Sequence, residues 1–311
     1  MKKIPVIIDV DTGIDDAVAL VIALQAKELD IKGITTVAGN QTIEKTTRNT
    51  LDVVEYFGRS DIPVAMGAKG PLVREQIIAA YAHGESGLGN AVLPTAKSQP
   101  HQLDAVSFIK EVLEESEEPI TLVPTGPLTN IAILLKAYPH VKSKIKEIVL
   151  MGGGAYEGNS NATAEFNIYA DPEAALVVFN SGVQLVMCGL DVTMKAMASV
   201  EDVETILATG TKAGKFIAEA FEFYINMYKK VAGIAGCAVH DAVTITYLLK
   251  PELIKTKAGN ATVDIEGKDT YAATICDFRP WRDREKDNAL VCVDIDREAF
   301  VQLIVDACKN Y

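Results

Sequence analysis

Five largely apolar runs, each followed by a helical pattern, constrain the fold of this chain more than any other feature. They are Ile4–Val10, Ile31–Ala38, Ile120–Pro124, Ile145–Met151 and Val183–Cys188. The runs are continuous rather than alternating, as expected of strands buried on both faces of a parallel sheet. Helical segments are expected at Asp15–Lys27, Thr42–Phe57, Leu128–Tyr138 and Asp171–Asn180. The last opens Asp171-Pro172-Glu173, an N-cap followed by proline at the first helical position. Repeated strand–helix order predicts an α/β fold, a doubly wound and mostly parallel central sheet. Ligands of such sheets bind beyond the carboxyl ends of the strands, so residues just after each strand carry the functional weight.

From about residue 196 the pattern changes. Helices are expected at Val200–Ala208, Lys212–Lys230 and Asp241–Leu249, then β structure at Ala261–Glu266, Tyr271–Phe278 and Leu290–Asp294, and a last helix at Arg297–Cys308. No linker or internal repeat divides the chain. The expectation is one domain over 1–311, with an appended helical and β-hairpin region able to cover the site.

Composition narrows the functional classes. The net charge of −12 repels phosphate backbones, so no nucleic-acid partner is expected, whereas a cation and a neutral small substrate are compatible with it. No run reaches the ~18 apolar residues of a membrane span, and Met1-Lys2-Lys3 with the short Ile4–Ile8 run is not expected to act as a secretory signal. The five cysteines, odd in number and set among apolar neighbours, fit reduced thiols and hence a cytoplasmic location.

Four carboxylates fall within eight residues: Asp9, Asp11, Asp15 and Asp16. Asp9 and Asp11 end the first strand two residues apart and point the same way. Gly13 permits a tight turn, and Asp15 and Asp16 open a helix. Capping by Asp15 would explain one aspartate, not four. Packing four anions at the mouth of a buried strand is repulsive, and a hard divalent cation with oxygen ligands relieves it. Two enzyme classes fit the cluster alone. One is a magnesium-dependent phosphatase of the haloacid dehalogenase type, whose first strand ends in Asp-x-Asp-x-Thr, a motif that Asp9-Val10-Asp11-Thr12 begins like, and which would use Asp9 as nucleophile.

The other rests on a resemblance. Asp9-Val10-Asp11-Thr12-Gly13-Ile14-Asp15-Asp16-Ala17 resembles the N-terminal fingerprint of the inosine-uridine nucleoside hydrolases. Further matches follow in the same order: Val37-Ala38-Gly39-Asn40, His83-Gly84 with Gly87-Leu88-Gly89, Pro124-Thr125-Gly126-Pro127-Leu128-Thr129-Asn130, Met151-Gly152-Gly153-Gly154, Asn159 with Ala164-Glu165-Phe166-Asn167-Ile168, Ala170-Asp171-Pro172-Glu173-Ala174, and His240-Asp241-Ala242. Each is weak alone; together they span nearly the whole chain. Where the family more often has proline, this chain has Thr12.

The resemblance implies the nucleoside hydrolase fold, a bound calcium ion, and hydrolysis of ribonucleosides to ribose and free base with inversion at C1′. It implies that Asp11, Asp16 and Asp241 bind calcium by side chain and Thr125 by its carbonyl, with Asp11 also the base that activates water. Asp15, Asn40, Asn167 and Asp241 would hold the 2′- and 3′-hydroxyls, and Asn159 and Glu165 the 5′-hydroxyl. Met151, His83 and Phe166 would line the pocket, and Asp9 would support from behind. Homodimers or homotetramers are implied as well.

These residue types suit the chemistry. Carboxylates stabilise an oxocarbenium-like sugar, and a departing base needs a proton. His240, beside the expected ligand Asp241, is the candidate acid. Tyr224 and Tyr228, four apart on one helix face, are candidates to contact the base. Trp281, in Arg279-Pro280-Trp281-Arg282, could be a rim residue or part of a loop. A third possibility is a non-catalytic nucleoside-binding protein that keeps the pocket.

Overall fold

A computed structural model describes residues 2–281 and 285–311. The first strands and helices alternate: β1 (Ile4–Val10), α1 (Ile14–Gln25), β2 (Leu29–Thr36), α2 (Ile43–Tyr56), β3 (Val64–Met66). Short α3 (Ala80–His83) and α4 (Ala105–Glu115) precede β4 (Ile120–Pro124), α5 (Thr129–Ala137) and β5 (Ile145–Met151). Then come α6 (Phe166–Ala170), α7 (Pro172–Phe179), β6 (Leu185–Cys188) and α8 (Leu190–Thr193). A two-residue ladder of β7 (Met197–Ala198) and β8 (Cys237–Ala238) brackets α9 (Val200–Leu207) and α10 (Lys212–Ala232). The chain ends with α11 (Ala242–Leu249), β9 (Ile254–Val263), β10 (Thr274–Asp277), β11 (Ala289–Ile295) and α12 (Arg297–Cys308).

The main sheet has nine strands in the order β10-β9-β11-β6-β5-β4-β1-β2-β3, parallel except at β9. Its strands alternate between two apolar layers, as a doubly covered sheet requires. Val6, Ile8 and Val10 of β1 face the layer built on α1, α10, α11 and α12, while Ile7 faces the layer of α4, α5 and α7. The β-rich stretch expected as an appendage extends this sheet instead, because β11 pairs in parallel with β6 and carries β9 and β10 outward. The helical half of that region does reach the site, through α10.

Seven of the strands and α-helices lie outside the sequence expectations: the short α3, α6, α8, β7 and β8, and two more. One is α4, capped by the Asp104 carboxylate accepting from Val106 and Ser107. The other is β3, only three residues long. β9 also begins seven residues before the expected Ala261, because its outer half is exposed and carries no apolar run. Among the described residues no helix is long and apolar enough to cross a membrane.

The topology fixes where a ligand can sit. The chain winds outward from β1 through β2 to β3, then restarts on the other side of β1 with β4, β5 and β6. Strand order therefore reverses between β1 and β4, the position where open α/β sheets leave a crevice at their carboxyl ends. Asp11–Asp16 follow β1 and Thr125 follows β4, so both border it.

Candidate active site

The acidic cluster is buried throughout: Asp9, Asp11, Asp15 and Asp16 are all at most 4% exposed. Asp16, rather than Asp15, caps α1, accepting from the Gly13 N–H at 2.9 Å. Asp16 also accepts from the Thr125 hydroxyl at 2.7 Å and Asn40 Nδ2 at 3.2 Å. Asp11 takes the Asn40 N–H at 2.6 Å on Oδ2, while its Oδ1 is sealed without a partner. Glycines make room for that carboxylate. A Cβ on Gly39 would fall 2.2 Å from Oδ2, and one on Gly126 2.8 Å from Oδ1.

Gly13 has an extended backbone, φ −98°, so no turn conformation demands glycine there. Space does: a Cβ would fall 2.5 Å from His83 Nδ1 and 2.7 Å from Asn40 Nδ2. Thr12, the departure from the family pattern, is accommodated by a 2.7 Å hydroxyl pair with Thr50.

Asp241, at the start of α11, brings a fifth carboxylate into the group. Oxygens of Asp15, Asp16 and Asp241 lie within 4.8 Å of one another. Burial first, then mutual repulsion, drives these acids up: Asp15 to about 8, and Asp11 and Asp241 well above the ordinary carboxylate range. Burial alone outweighs the donors around Asp16 and raises it too. Asp9 stands behind them, held by Thr35 at 2.5 Å and Asn130 at 2.8 Å and pushed by burial to about 6.

This donor set suits a hard divalent cation. It is all oxygen, it is buried, and Asp11 and Asp15 each keep a sealed oxygen with no partner. The structure thus gathers a buried Asp-rich group able to hold a metal.

In front of the cluster opens a cavity of about 290 Å³. It gathers Asp15, Asn40, His83, Thr125, Met151, Asn159, Glu165, Phe166, Asn167, Tyr224, Tyr228, His240 and Asp241, every expected site residue except Asp11 and Asp16, which lie beneath it. Asn167 spans two strand ends, Nδ2 donating to the carbonyls of Thr125 at 2.7 Å and Met151 at 3.1 Å. The Thr125 carbonyl therefore already has one donor, with a second lone pair left. Glu165 caps α6, accepts the Gly153 N–H at 2.9 Å, and is raised by burial to about 7. Asn159 is exposed at the rim.

The far wall is aromatic. Tyr224 packs edge-on against Tyr228, with ring centroids 5.2 Å apart, and lies tilted against His83 at 5.5 Å. His240 is held at both nitrogens: Nε2 lies 2.8 Å from the Tyr228 hydroxyl and Nδ1 2.8 Å from the Thr193 hydroxyl. Burial lowers His240 to about 4 and His83 to about 3, so both rings rest neutral.

Sequence reasoning missed Thr193, Met194, Met227 and Val231 here. Met227 and Val231 are four apart on α10 beside Tyr224 and Tyr228, so helical spacing could have found them. Thr193 has no such signal. Trp281 stays out of the cavity, 63% exposed beside Ile275 and Phe278 near the sheet edge, and Arg282 lies outside the described residues. A larger depression of about 560 Å³ lies at the amino ends of the strands. Two ion pairs line it, Lys2 with Glu118 and Lys32 with Asp30.

Comparison with known proteins agrees with this geometry. Residues 6–302 match the family described as inosine-uridine preferring nucleoside hydrolase. The pyrimidine-specific ribonucleoside hydrolase RihA of Escherichia coli O1:K1 is 48% identical over 309 residues, 99% of each chain. A purine-preferring ribonucleoside hydrolase from Gardnerella vaginalis superposes with a TM-score of 0.91 at 34% identity, covering 99% of this chain and 100% of that one. A plant nucleoside hydrolase gives 0.93 at 32% identity, over 99% of both. The phosphatase and the non-catalytic binding protein find no support in these similarities.

Proposed function

The chain belongs to the inosine-uridine preferring nucleoside hydrolase family, and on that premise we propose that it cleaves the N-glycosidic bond of pyrimidine ribonucleosides, releasing ribose and free base. The carrying observation is one cavity lined on one side by buried carboxylates and amides and on the other by a histidine–tyrosine pair. The preference for uridine and cytidine over inosine rests on the greater identity to pyrimidine-specific relatives, 48% against 34% for the purine-preferring neighbour.

Asp11, Asp16, Asp241 and the Thr125 carbonyl would hold a calcium ion. When bound, the ion supplies positive charge that acidifies water and anchors the sugar diol. Asp11 would take the proton from the attacking water, its sealed and unpartnered Oδ1 being the oxygen available to accept it. Attack from the face opposite the base inverts C1′. Asp15, Asn40, Asn167 and Asp241 hold the 2′- and 3′-hydroxyls, and Asn159 and Glu165 the 5′-hydroxyl. A site built on so many sugar contacts rejects deoxy analogues strongly. Met151 and Phe166 pack against the ribose.

The departing base takes its proton from the His240–Tyr228 pair. Burial lowers His240 to about 4, so the resting ring is neutral and the proton it passes to the base is taken up from solvent as the C1′–N bond breaks. We assign the whole chain, 1–311, to this one domain, acting as a homodimer or homotetramer in the cytoplasm in nucleoside salvage; the five unbridged cysteines support that location.

A reducing-sugar assay over uridine, cytidine, inosine and 2′-deoxyuridine tests the proposal. Uridine and cytidine turnover is expected, with loss on chelation, recovery with calcium, and abolition by Asp11→Ala. Undiminished uridine hydrolysis by Asp11→Ala or under chelator would sink the mechanism.

A further inference from the structure

The cavity holds two histidines, and the mechanism above gives chemistry to only one. His83, the last residue of α3, is 5% exposed and lines the cavity. Its Nδ1 lies 3.1 Å from the backbone nitrogen of Ile14. Ile14 is the first residue of α1, so its N–H has no partner within the helix. A backbone N–H can only donate. Nδ1 must therefore offer a lone pair, and the ring is the neutral tautomer with its proton on Nε2. Asp15 Oδ1 stands 3.8 Å from Nδ1, too far to compete.

Nε2 has no hydrogen-bond partner among the described residues, and it is not among the sealed polar atoms. By contrast, both nitrogens of His240 are engaged. The ring of His83 packs on Tyr224, which places it on the aromatic wall. Asn40 stands close by, since both side chains crowd the space beside Gly13. His83 thus stands where the sugar wall meets the base wall.

We infer that His83 is a fixed N–H donor to the nucleobase, reaching the acceptor atom next to the glycosidic nitrogen: the C2 carbonyl of a pyrimidine or N3 of a purine. This assignment rests on the nucleoside hydrolase reading above. When the C1′–N bond breaks, its electron pair stays with the base, and negative charge spreads onto that acceptor. A donor already aimed there binds the transition state more strongly than the ground state. His83 keeps its proton throughout, since giving it up would leave an imidazolate. The proton that neutralises the base comes from the His240–Tyr228 pair, so the two histidines divide the work between polarising and protonating.

The test compares uridine with 4-nitrophenyl β-D-ribofuranoside, whose leaving group has no ring acceptor beside its glycosidic atom. His83→Asn keeps an acceptor for the Ile14 N–H but puts nothing at the Nε2 position. Its kcat/KM on uridine should fall about 10²-fold, as for loss of one preorganised donor, and at least about tenfold more than on the nitrophenyl riboside. His83→Gln, whose amide N–H extends toward Nε2, should recover about tenfold of the uridine loss. Equal losses on the two substrates, or no recovery in His83→Gln, would overturn the assignment. Failure of the unmodified enzyme to release ribose from uridine would instead overturn the hydrolase reading itself.

Discussion

Asp9→Asn separates the cost of burying charge from its use. Asp9 Oδ1 is held by Thr35 and Asn130, while Oδ2 is sealed without a partner. Burial outweighs the two hydrogen bonds and raises the carboxyl from 3.8 to about 6. An acid raised on folding binds its proton more tightly in the native state. Stability is therefore full below the unfolded value, falls as pH rises from 3.8 toward about 6, and stays flat above. Two pH units at about 1.4 kcal/mol each make the loss roughly 3 kcal/mol. Asparagine removes the titration and keeps the acceptor for Thr35 and Asn130. Its amide nitrogen replaces Oδ2 without an acceptor, at a cost of about 1–2 kcal/mol. At pH 7.5 the variant should be about 1–2 kcal/mol more stable than the natural chain, a rise of about 2–6 °C in Tm. Near pH 4 the order should reverse. Thermal unfolding of both proteins from pH 4 to 8, with chelator present, measures the difference at each pH. A difference that stays constant over that interval would refute the reasoning.

Three other outcomes follow from the same geometry. Gly39→Ala drives a methyl against Asp11 Oδ2 and Pro127 and should cut uridine turnover by about 10² or more without loss of fold, checked by steady-state kinetics and circular dichroism. Thr193→Val leaves His240 Nδ1 without its hydroxyl, so kcat on uridine should fall about tenfold, and Thr193→Ser should restore most of it. Calcium should raise Tm far more at pH 8 than at pH 5. The sign follows from Asp15 at about 8 and the still more strongly raised Asp11 and Asp241, which must release protons to bind a cation; equal shifts at both pH values would contradict it.

Sequence made the centre of the fold legible and blurred its edges. The central strands are continuous apolar runs because both faces are covered, so β1, β4 and β5 stand within a residue of their expected bounds. β3 is three residues long, and the outer half of β9 is exposed; neither leaves a hydrophobic signature. Helix α4 was detectable from Asp104 before Val106, Phe108, Ile109 and Leu113. At the site, residues recognised by charge or amide at strand ends lie together around the cavity. What stayed hidden was relational: that Asp16 rather than Asp15 caps α1, that Thr193 orients His240, and that Ile14 sets the tautomer of His83. The last two depend on contacts across 47 and 69 residues of chain, which no local pattern encodes.

The switch point between β1 and β4 also bears on how the enzyme comes to life. Its walls are drawn from the first forty residues, from 79–83, from Thr125, from 151–167, from Met194 and from 224–241, so no contiguous fragment contains a working pocket. Closure further requires β11 to dock on β6 and α12 on α1, contacts made by elements near the end of the described chain. Assembly of this kind is dominated by pairings distant in sequence, which are slow to form. Catalytic competence should accordingly trail the return of helical signal during refolding, and a chain severed anywhere before α11 should regain activity only when the missing piece is supplied alongside it.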